Sequence, residues 1–167
     1  MGYRSDVALA VAIPSMKTML EVLSVYRMHP NVQKENLLED YWQLKMPEME
    51  LHNGDKQPIC VLFYKVDDIK WYDGYEDVEG MSHINTVCKQ FAEERGDEFD
   101  YAYWFVRIGE QEDDIETVGD YTDTDIGHEM FSCLQDIIWV TREVQTDDNL
   151  PDVSDALTKS FAQTVTA

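Results

Sequence analysis

Residues 6–13, which read Asp-Val-Ala-Leu-Ala-Val-Ala-Ile, place the tightest constraint on how this chain can fold. Large apolar residues alternate with alanines, so a β-strand here carries the large side chains on one face and the alanines on the other. A face of small alanines lets a neighbouring element approach closely. The pattern therefore predicts a strand whose alanine face is packed closely under a helix.

Two helices and several further strands are predicted from the periodicity of the apolar residues. Ser15 opens the first helix, which continues at helical spacing to about Met28 and ends before Pro30. The second helix has an apolar stripe formed by Met81, Ile84, Val87, Cys88 and Phe91. Further strands are predicted over residues 41–46, 58–66, 99–108, 115–118 and 136–145.

The segments between these elements are predicted as turns and loops. Residues 31–40 form a loop or one helical turn, and residues 52–55, which contain Asn-Gly, form a hairpin turn. Residues 67–80 are a turn rich in acids and aromatics, and residues 120–129 are an acidic loop.

The order of strand, helix, strand, strand, helix, strand and then extra strands is the ferredoxin-like, or split βαβ, order with additions. It predicts a single α+β domain over residues 1–146, with an antiparallel or mixed sheet and two helices on one face. The 44% of hydrophobic residues supply enough apolar surface for a real core. Residues 147–167 are expected to be a polar C-terminal tail or a short helix.

The charge of the chain excludes several classes of partner. Thirteen basic residues against 34 acidic residues give a net charge of −21, which repels nucleic acid phosphates and anionic lipids. Direct binding to nucleic acid or to a membrane surface is therefore not expected. The partners should be basic: the nucleic-acid-binding face of another protein, or cations. The alternative is that the charge only keeps the protein soluble.

No motif of catalysis, cofactor binding or metal binding is found in the sequence. His128-Glu129 begins a zinc-protease pattern, but Ser132 stands where the second histidine is required. The acidic loop lacks the glycine and glutamate spacing of a calcium-binding loop. Cys60 and Cys88 fall inside apolar segments and are expected to be buried free thiols, which fits a reducing cytosol. No signal peptide or membrane span is expected.

The first candidate binding segment interleaves aromatic and acidic residues between a strand and the second helix. Such a surface could dock on a basic, partly apolar patch of another protein. Its candidate contact residues are Asp67, Asp68, Trp71, Tyr72, Asp73, Tyr75, Glu76 and Asp77. The alternative is structural: Trp71 and Tyr75 fill the core, while Asp77 or Glu79 caps the helix.

The second candidate binding segment is the acidic stretch over residues 110–125. Carboxylates spaced like phosphates could occupy a DNA-binding groove on another protein, and the release of ions would favour that contact at low salt. Its candidate contact residues are Glu110, Glu112, Asp113, Asp114, Asp120, Asp123 and Asp125. The alternative is a solvated acidic face without a partner.

Two stretches resemble a group of small tailed-bacteriophage proteins. The opening Met1-Gly2-Tyr3-Arg4-Ser5-Asp6-Val7 is similar to the start of that group, and residues 67–73 with Tyr75, Asp77 and Val78 are similar to a second segment of it. The resemblance implies a phage-encoded protein made in the cytoplasm of an infected bacterium, and it implies no reaction.

Together these features predict a non-catalytic protein that occupies a basic surface of a host protein, as a DNA mimic or an inhibitor of host defence. Two alternatives remain open from the sequence. One is a phage structural or assembly protein that acts as an oligomer. The other is a small nucleotide-binding or metal-binding protein.

Overall fold

The computed structural model describes residues 4–72, 74–111, 113–140, 144–146 and 150. These residues form an α+β fold with a five-stranded antiparallel sheet, two small two-stranded sheets and five α-helices. The strands are β1 (Ser5–Ile13), β2 (Gln43–Lys45), β3 (Glu48–Glu50), β4 (Lys56–Pro58), β5 (Cys60–Ile69), β6 (Ala102–Gly109), β7 (Ile115–Tyr121), β8 (Ile138–Val140) and β9 (Val144–Thr146). The helices are α1 (Met16–Tyr26), α2 (Pro30–Lys34), α3 (Leu37–Asp40), α4 (Glu76–Arg95) and α5 (Asp125–Ile137). None of these helices combines the length and the apolar character needed to span a bilayer.

The main sheet has the strand order β2-β5-β1-β6-β7, so the first strand of the chain lies in its centre. Every neighbouring pair is antiparallel, and Val11 of β1 lies between Leu62 of β5 and Tyr103 of β6. The two edges of the sheet differ in length, because β2 has three residues and β7 has seven.

Each face of β1 is covered by a different set of helices. The large residues, such as Leu9, pack with α1 and α4, and their cluster includes Tyr26 and Ile84. The alanine face packs with Met130 and Leu134 of α5. The predicted close packing of a helix on the alanine face is therefore confirmed. The two predicted helices, α1 and α4, both pack on the face of large residues, and α5, which begins in the segment predicted as a loop, covers the other face.

Helix α5 corrects the predicted acidic loop over residues 120–129. Strand β7 continues to Tyr121, and the helix begins at Asp125. Thr124 is the N-cap, and its hydroxyl oxygen accepts a hydrogen bond of 3.0 Å from the N–H of Gly127. The acidic residues in this stretch suit the positive end of a helix dipole as well as they suit a loop. Their presence therefore concealed the start of a helix.

Three further boundaries differ from the sequence interpretation. Residues 31–40 contain α2 and α3, and α4 begins at Glu76, within the segment predicted as a turn. The strand predicted over residues 136–145 is divided, because its first two residues end α5 and β8 pairs only with β9. Residues 141–143 and the predicted tail, apart from Leu150, lie outside the described residues.

Several local predictions are confirmed. The hairpin turn over residues 52–55 joins β3 to β4, and Gly54 has the positive φ of 86° that such a turn requires. Ser15 caps α1, since its side chain accepts a hydrogen bond from the N–H of Thr18. Cys60 and Cys88 are buried free thiols.

Two histidines give the fold a predicted dependence on pH. The rings of His83 on α4 and His29 before α2 lie 4.2 Å apart between their centroids. Desolvation, together with the neighbouring His29, lowers the pKa of His83 below its ordinary value of 6.5. The imidazole of His83 therefore binds a proton more readily in the unfolded chain than in the folded protein. The contribution of the neutral His83 ring to the free energy of unfolding is complete above pH 6.5 and is lost as the pH falls below that value.

We expect the change His83→Gln to flatten this dependence. The free energy of unfolding in urea, compared at about pH 7.5 and about pH 5.5, should fall less for the variant than for the wild type. An equal fall in the free energy of unfolding in the two proteins would show that His83 does not cause the dependence on pH.

Candidate protein-interaction surface

The strand register brings the two candidate binding segments together at one end of the main sheet. Ser5 of β1 pairs with Ile69 of β5 on one side and with Gly109 of β6 on the other. The end of β5 and the turn between β6 and β7 therefore lie side by side, although about 40 residues separate them in sequence. We call the carboxylates gathered here the acidic end: Asp67, Asp68, Glu110, Asp113 and Asp114.

Arg4 joins the two segments of the acidic end. Its backbone N–H donates a hydrogen bond of 2.6 Å to Oε1 of Glu110, and its guanidinium Nη1 donates to the carbonyl of Asp68 at 3.0 Å. The N–H of Asp68 donates to Oδ1 of Asp6 at 2.9 Å. Asp68 has a φ of 56°, in the left-handed region, where the pairing of β1 with β5 shifts its register. Hydrogen bonds between the backbone of Asp68 and the side chains of Arg4 and Asp6 thus hold this kink in place.

Arg107 neutralises one member of the acidic end from within. Its Nη1 and Nη2 donate to the two carboxylate oxygens of Asp114 at 3.2 and 2.9 Å, and its Nε donates to Glu116 at 3.4 Å. A further bond of 3.2 Å reaches Oγ of Ser5. The hydrogen bond with Asp114 is the main cause that raises the pKa of Arg107 above its ordinary value. Asp114 is therefore part of the scaffold, since its charge is already matched.

The remaining carboxylates of the acidic end face solvent. Asp67, Asp68, Glu110 and Asp113 are all exposed. The sequence of the three segments that meet here, residues 4–6, 67–70 and 107–116, contains eight acidic residues and three basic residues. The acidic end thus keeps a negative charge after its internal ion pairs are formed.

The aromatic residues beside the acidic end divide into two groups. Trp71 is partly buried and packs on Tyr64 and Phe105, with ring centroids 6.3 and 5.8 Å away. Tyr72 and Tyr75 meet edge to face at 5.3 Å, and Tyr75 is 48% exposed. We call Tyr72 and Tyr75 the aromatic pair. The structural alternative therefore holds for Trp71, which joins the core, and does not hold for Tyr75.

The acidic residues at the start of α4 have local roles. Glu76 forms an ion pair of 2.6 Å with Lys34. Asp77 accepts a hydrogen bond from the N–H of Val78, and Glu79 accepts one from the side chain of Asn31. The helix begins after Tyr75 without a side-chain cap, so the expected cap by Asp77 or Glu79 is absent among these residues. Asp73 and Glu112 lie outside the described residues.

The rest of the second candidate segment lies at the opposite end of β7, about 20 Å from the acidic end at the usual rise of a strand. Asp120 accepts a hydrogen bond of 2.7 Å from Asn85 and lies 3.5 Å from the ammonium of Lys89. Asp123 contacts the ring of His128 at 3.0 Å, and Asp125 is in the first turn of α5. Strand β7 thus separates residues 110–125 into two acidic groups.

A cleft of about 590 Å³ lies between the β3–β4 hairpin and α5, and the sequence interpretation did not find it. Carboxylates and imidazoles line its rim, and His52 binds Glu129 through its N–H at 3.1 Å and its ring at 3.4 Å. Burial raises the pKa of the Cys133 thiol to about 11, which keeps it protonated at neutral pH. Within the part of the chain that the structure describes, no three potential ligands are placed to hold a metal ion.

This cleft could have been found only by recognising α5. Glu129, Cys133 and Asp136 are spaced at three and four residues, which places them on one side of a helix. The same residues have no common side in a loop. Because residues 120–129 looked like a loop, the spacing was uninformative.

No protein-family model, no curated protein and no solved structure matches this chain.

Proposed function

We propose that this chain is a non-catalytic, acidic binding protein that occupies a basic surface of another protein through the acidic end and the aromatic pair. The observation that carries the proposal is the exposure of Asp67, Asp68, Glu110 and Asp113 at one end of the sheet. Because Arg107 is already bound to Asp114, it is not available to neutralise these carboxylates. An outside cation, presented by a partner, fits this end.

The negative charge and the aromatic pair contribute to binding in different ways. The net charge of −21 attracts a basic partner over a long distance, which raises the rate of association more than the final affinity. The aromatic pair offers apolar area with few rotatable bonds, and exposed tyrosines commonly carry much of the binding energy at protein interfaces. A partner surface with lysines or arginines around an apolar patch would complement both the acidic end and the aromatic pair.

We further propose that the partner is a host protein whose basic surface otherwise binds nucleic acid. Such a surface is already adapted to an array of negative charges, and exposed carboxylates can replace phosphates on it. The resemblance to phage proteins supports an infected bacterium as the setting. Occupation of the surface would then inhibit the host protein, as a DNA mimic does.

We also propose that the fold is a ferredoxin-like, split βαβ arrangement with additions. The antiparallel order β2-β5-β1-β6 supports it, as do α1 between β1 and β2 and α4 between β5 and β6 in sequence. Strand β7 and helix α5 are the main additions. They matter for function because β7 forms one side of the acidic end.

The double change Asp67→Asn and Asp113→Asn should weaken partner binding about fivefold, which corresponds to about 1 kcal/mol for two exposed charge contacts. The tagged wild type captures the partner from bacterial lysate at about 0.05 M salt, and rising salt elutes it. The affinity of the purified partner for wild type and variant is then measured. Displacement of the partner by duplex DNA is expected if its nucleic-acid-binding face is occupied.

A matched control changes the same charge elsewhere. Glu93 and Glu94 are exposed on the last turns of α4, at the other end of the molecule, and Glu93→Gln with Glu94→Gln also removes two negative charges. This control should keep most of the affinity. An equal loss in both double variants would mean that only the net charge matters, and the proposed surface would be wrong.

A further inference from the structure

Strand β7 has an outer edge that no described strand covers. It lies at the end of the sheet order and pairs only with β6. Its seven residues are exposed or only partly buried, and Ile115, Val118 and Tyr121 are large apolar side chains among them. An edge of this length with apolar residues is a template for pairing with another strand.

The hydrogen bonds at the two ends of the β6–β7 ladder show which groups of β7 point outward. The N–H of Gly109 donates to the carbonyl of Asp114 at 2.8 Å, and the N–H of Thr122 donates to the carbonyl of Tyr101 at 3.1 Å. Hydrogen-bonded pairs alternate in an antiparallel ladder, and the register between these ends is unbroken. The backbone groups of Glu116, Val118 and Asp120 therefore point to β6. Those of Thr117, Gly119 and Tyr121 point to the free edge.

Three of the features that commonly block an edge strand are absent from the residues of β7. Such edges commonly carry a lysine, a proline or a β-bulge, and Ile115–Tyr121 has none of these. Its charged residues are Glu116 and Asp120, on the same face as Val118. The edge can thus pair with a strand whose side chains are compatible with the negative charges of Glu116 and Asp120.

We propose that β7 pairs antiparallel with an extended basic segment of the partner, which adds a sixth strand to the sheet. This inference rests on the proposed function, and it adds that one segment of the partner binds as an extended strand. Glu116 and Asp120 already lie near Arg107 and Lys89. Lysine or arginine opposite these two acids, with an apolar residue opposite Val118, adds favourable cross-strand pairs. More than half of the Glu116 side chain is exposed, so a cation can reach it.

A second copy of this chain fits the same edge poorly. Antiparallel pairing of two β7 strands centred on Val118 would place Glu116 directly opposite Asp120 of the other copy, twice. Like charges directly opposite each other destabilise a sheet. In the register centred on Val118, the charge pattern of the edge therefore favours a basic strand over a second copy of this chain.

The test uses the full chain and a synthetic peptide of about eight residues, long enough to span β7. Its lysines and a central valine share one face, and threonines occupy the other. We expect the peptide to slow amide hydrogen exchange about tenfold or more at Thr117, Gly119 and Tyr121. The amides of Glu116, Val118 and Asp120 are the internal control, because their bonds to β6 exist without the peptide. A peptide of the same charge with N-methyl groups along its pairing edge should give no protection.

The change Thr117→Pro supplies a second test, because it removes an outward N–H and leaves every bond to β6 in place. It should weaken peptide binding about tenfold while the thermal melting of the variant confirms that it folds. Binding without slowed exchange at the three outward amides would overturn the inference. Slow exchange there before peptide is added would also overturn it, since the edge would then already be occupied.

These outcomes are separate from a failure of the proposed function. Loss of affinity in the Asp67→Asn, Asp113→Asn variant together with unprotected β7 amides would retain the acidic end and reject the added strand. Protected amides together with an unchanged affinity of that variant would reject the acidic end and retain the added strand.

Discussion

Gly127→Ala should destabilise the protein by about 3 kcal/mol, although glycine-to-alanine changes inside helices usually stabilise. A Cβ at this position would lie 2.1 Å from the carbonyl oxygen of Thr122 and 2.5 Å from its hydroxyl oxygen. The carbonyl belongs to the backbone that connects β7 to α5, so it cannot rotate away. The start of the helix would have to move off the sheet, and the alanine face of β1 would lose part of its cover.

Gly80→Ala is the matched control, because Gly80 is also a buried helical glycine. Its Cβ would lie 2.5 Å from Cδ1 of Leu37, which is the end of a flexible side chain. That side chain can adopt another rotamer, and we expect a cost of about 1 kcal/mol. Urea unfolding of both variants measures the difference. Equal costs would contradict the argument that a rigid backbone neighbour makes Gly127 necessary.

Tyr26→Phe should cost about 2 kcal/mol, because the Tyr26 hydroxyl joins two buried polar groups. It donates a hydrogen bond of 2.8 Å to the carbonyl of Gly80 and accepts one of 3.0 Å from Nε1–H of Trp42. Phenylalanine would fill the same space and leave the buried Nε1–H of Trp42 without its hydrogen-bond acceptor, while the Gly80 carbonyl would lose its second donor. Burial also raises the pKa of Tyr26 far above its ordinary value, so the hydroxyl stays protonated and keeps its donor role.

The control for this prediction is Tyr64→Phe. Tyr64 is also buried, but its hydroxyl makes no hydrogen bond to the residues that the structure describes. Removing it should change the free energy of unfolding by less than about 0.5 kcal/mol. Urea unfolding of both variants separates the two cases. A similar loss in both would mean that burial of the ring edge, and not the hydrogen bonds of Tyr26, determines the effect.

The parts of the fold with strong periodicity could be predicted from the sequence. The alternation in residues 6–13 indicated β1, the stripe from Met81 to Phe91 indicated α4, and the continuous apolar runs indicated β5 and β6. Each of these signals is local, because the side chains that define it lie within one element. The close cover on the alanines of β1 could also be expected, since small residues on a buried face require a near neighbour.

The elements that were not predicted from the sequence depend on signals that are masked or distant. Helix α5 starts among acids that suit a loop, although its apolar residues Ile126, Met130, Leu134 and Ile137 recur at helical spacing. The acidic end depends on Ser5, which brings residues 69 and 109 to either side of itself. No pattern of neighbouring residues in the sequence indicates that Ser5 pairs with these two distant residues. Both candidate segments were recognised from their composition, while their meeting at one end of the sheet required the register.

The central position of β1 has a consequence for synthesis of the protein. This strand precedes both of its partner strands in the chain, because Ser5 pairs with Ile69 and Gly109, which follow 64 and 104 residues later. A strand with two apolar faces must therefore remain unpaired while most of the chain is made, and non-local pairing of this kind folds slowly. The dense negative charge of the later segments repels other nascent chains during that interval. We therefore expect the charge to oppose association of incompletely folded chains, independently of the proposed binding role.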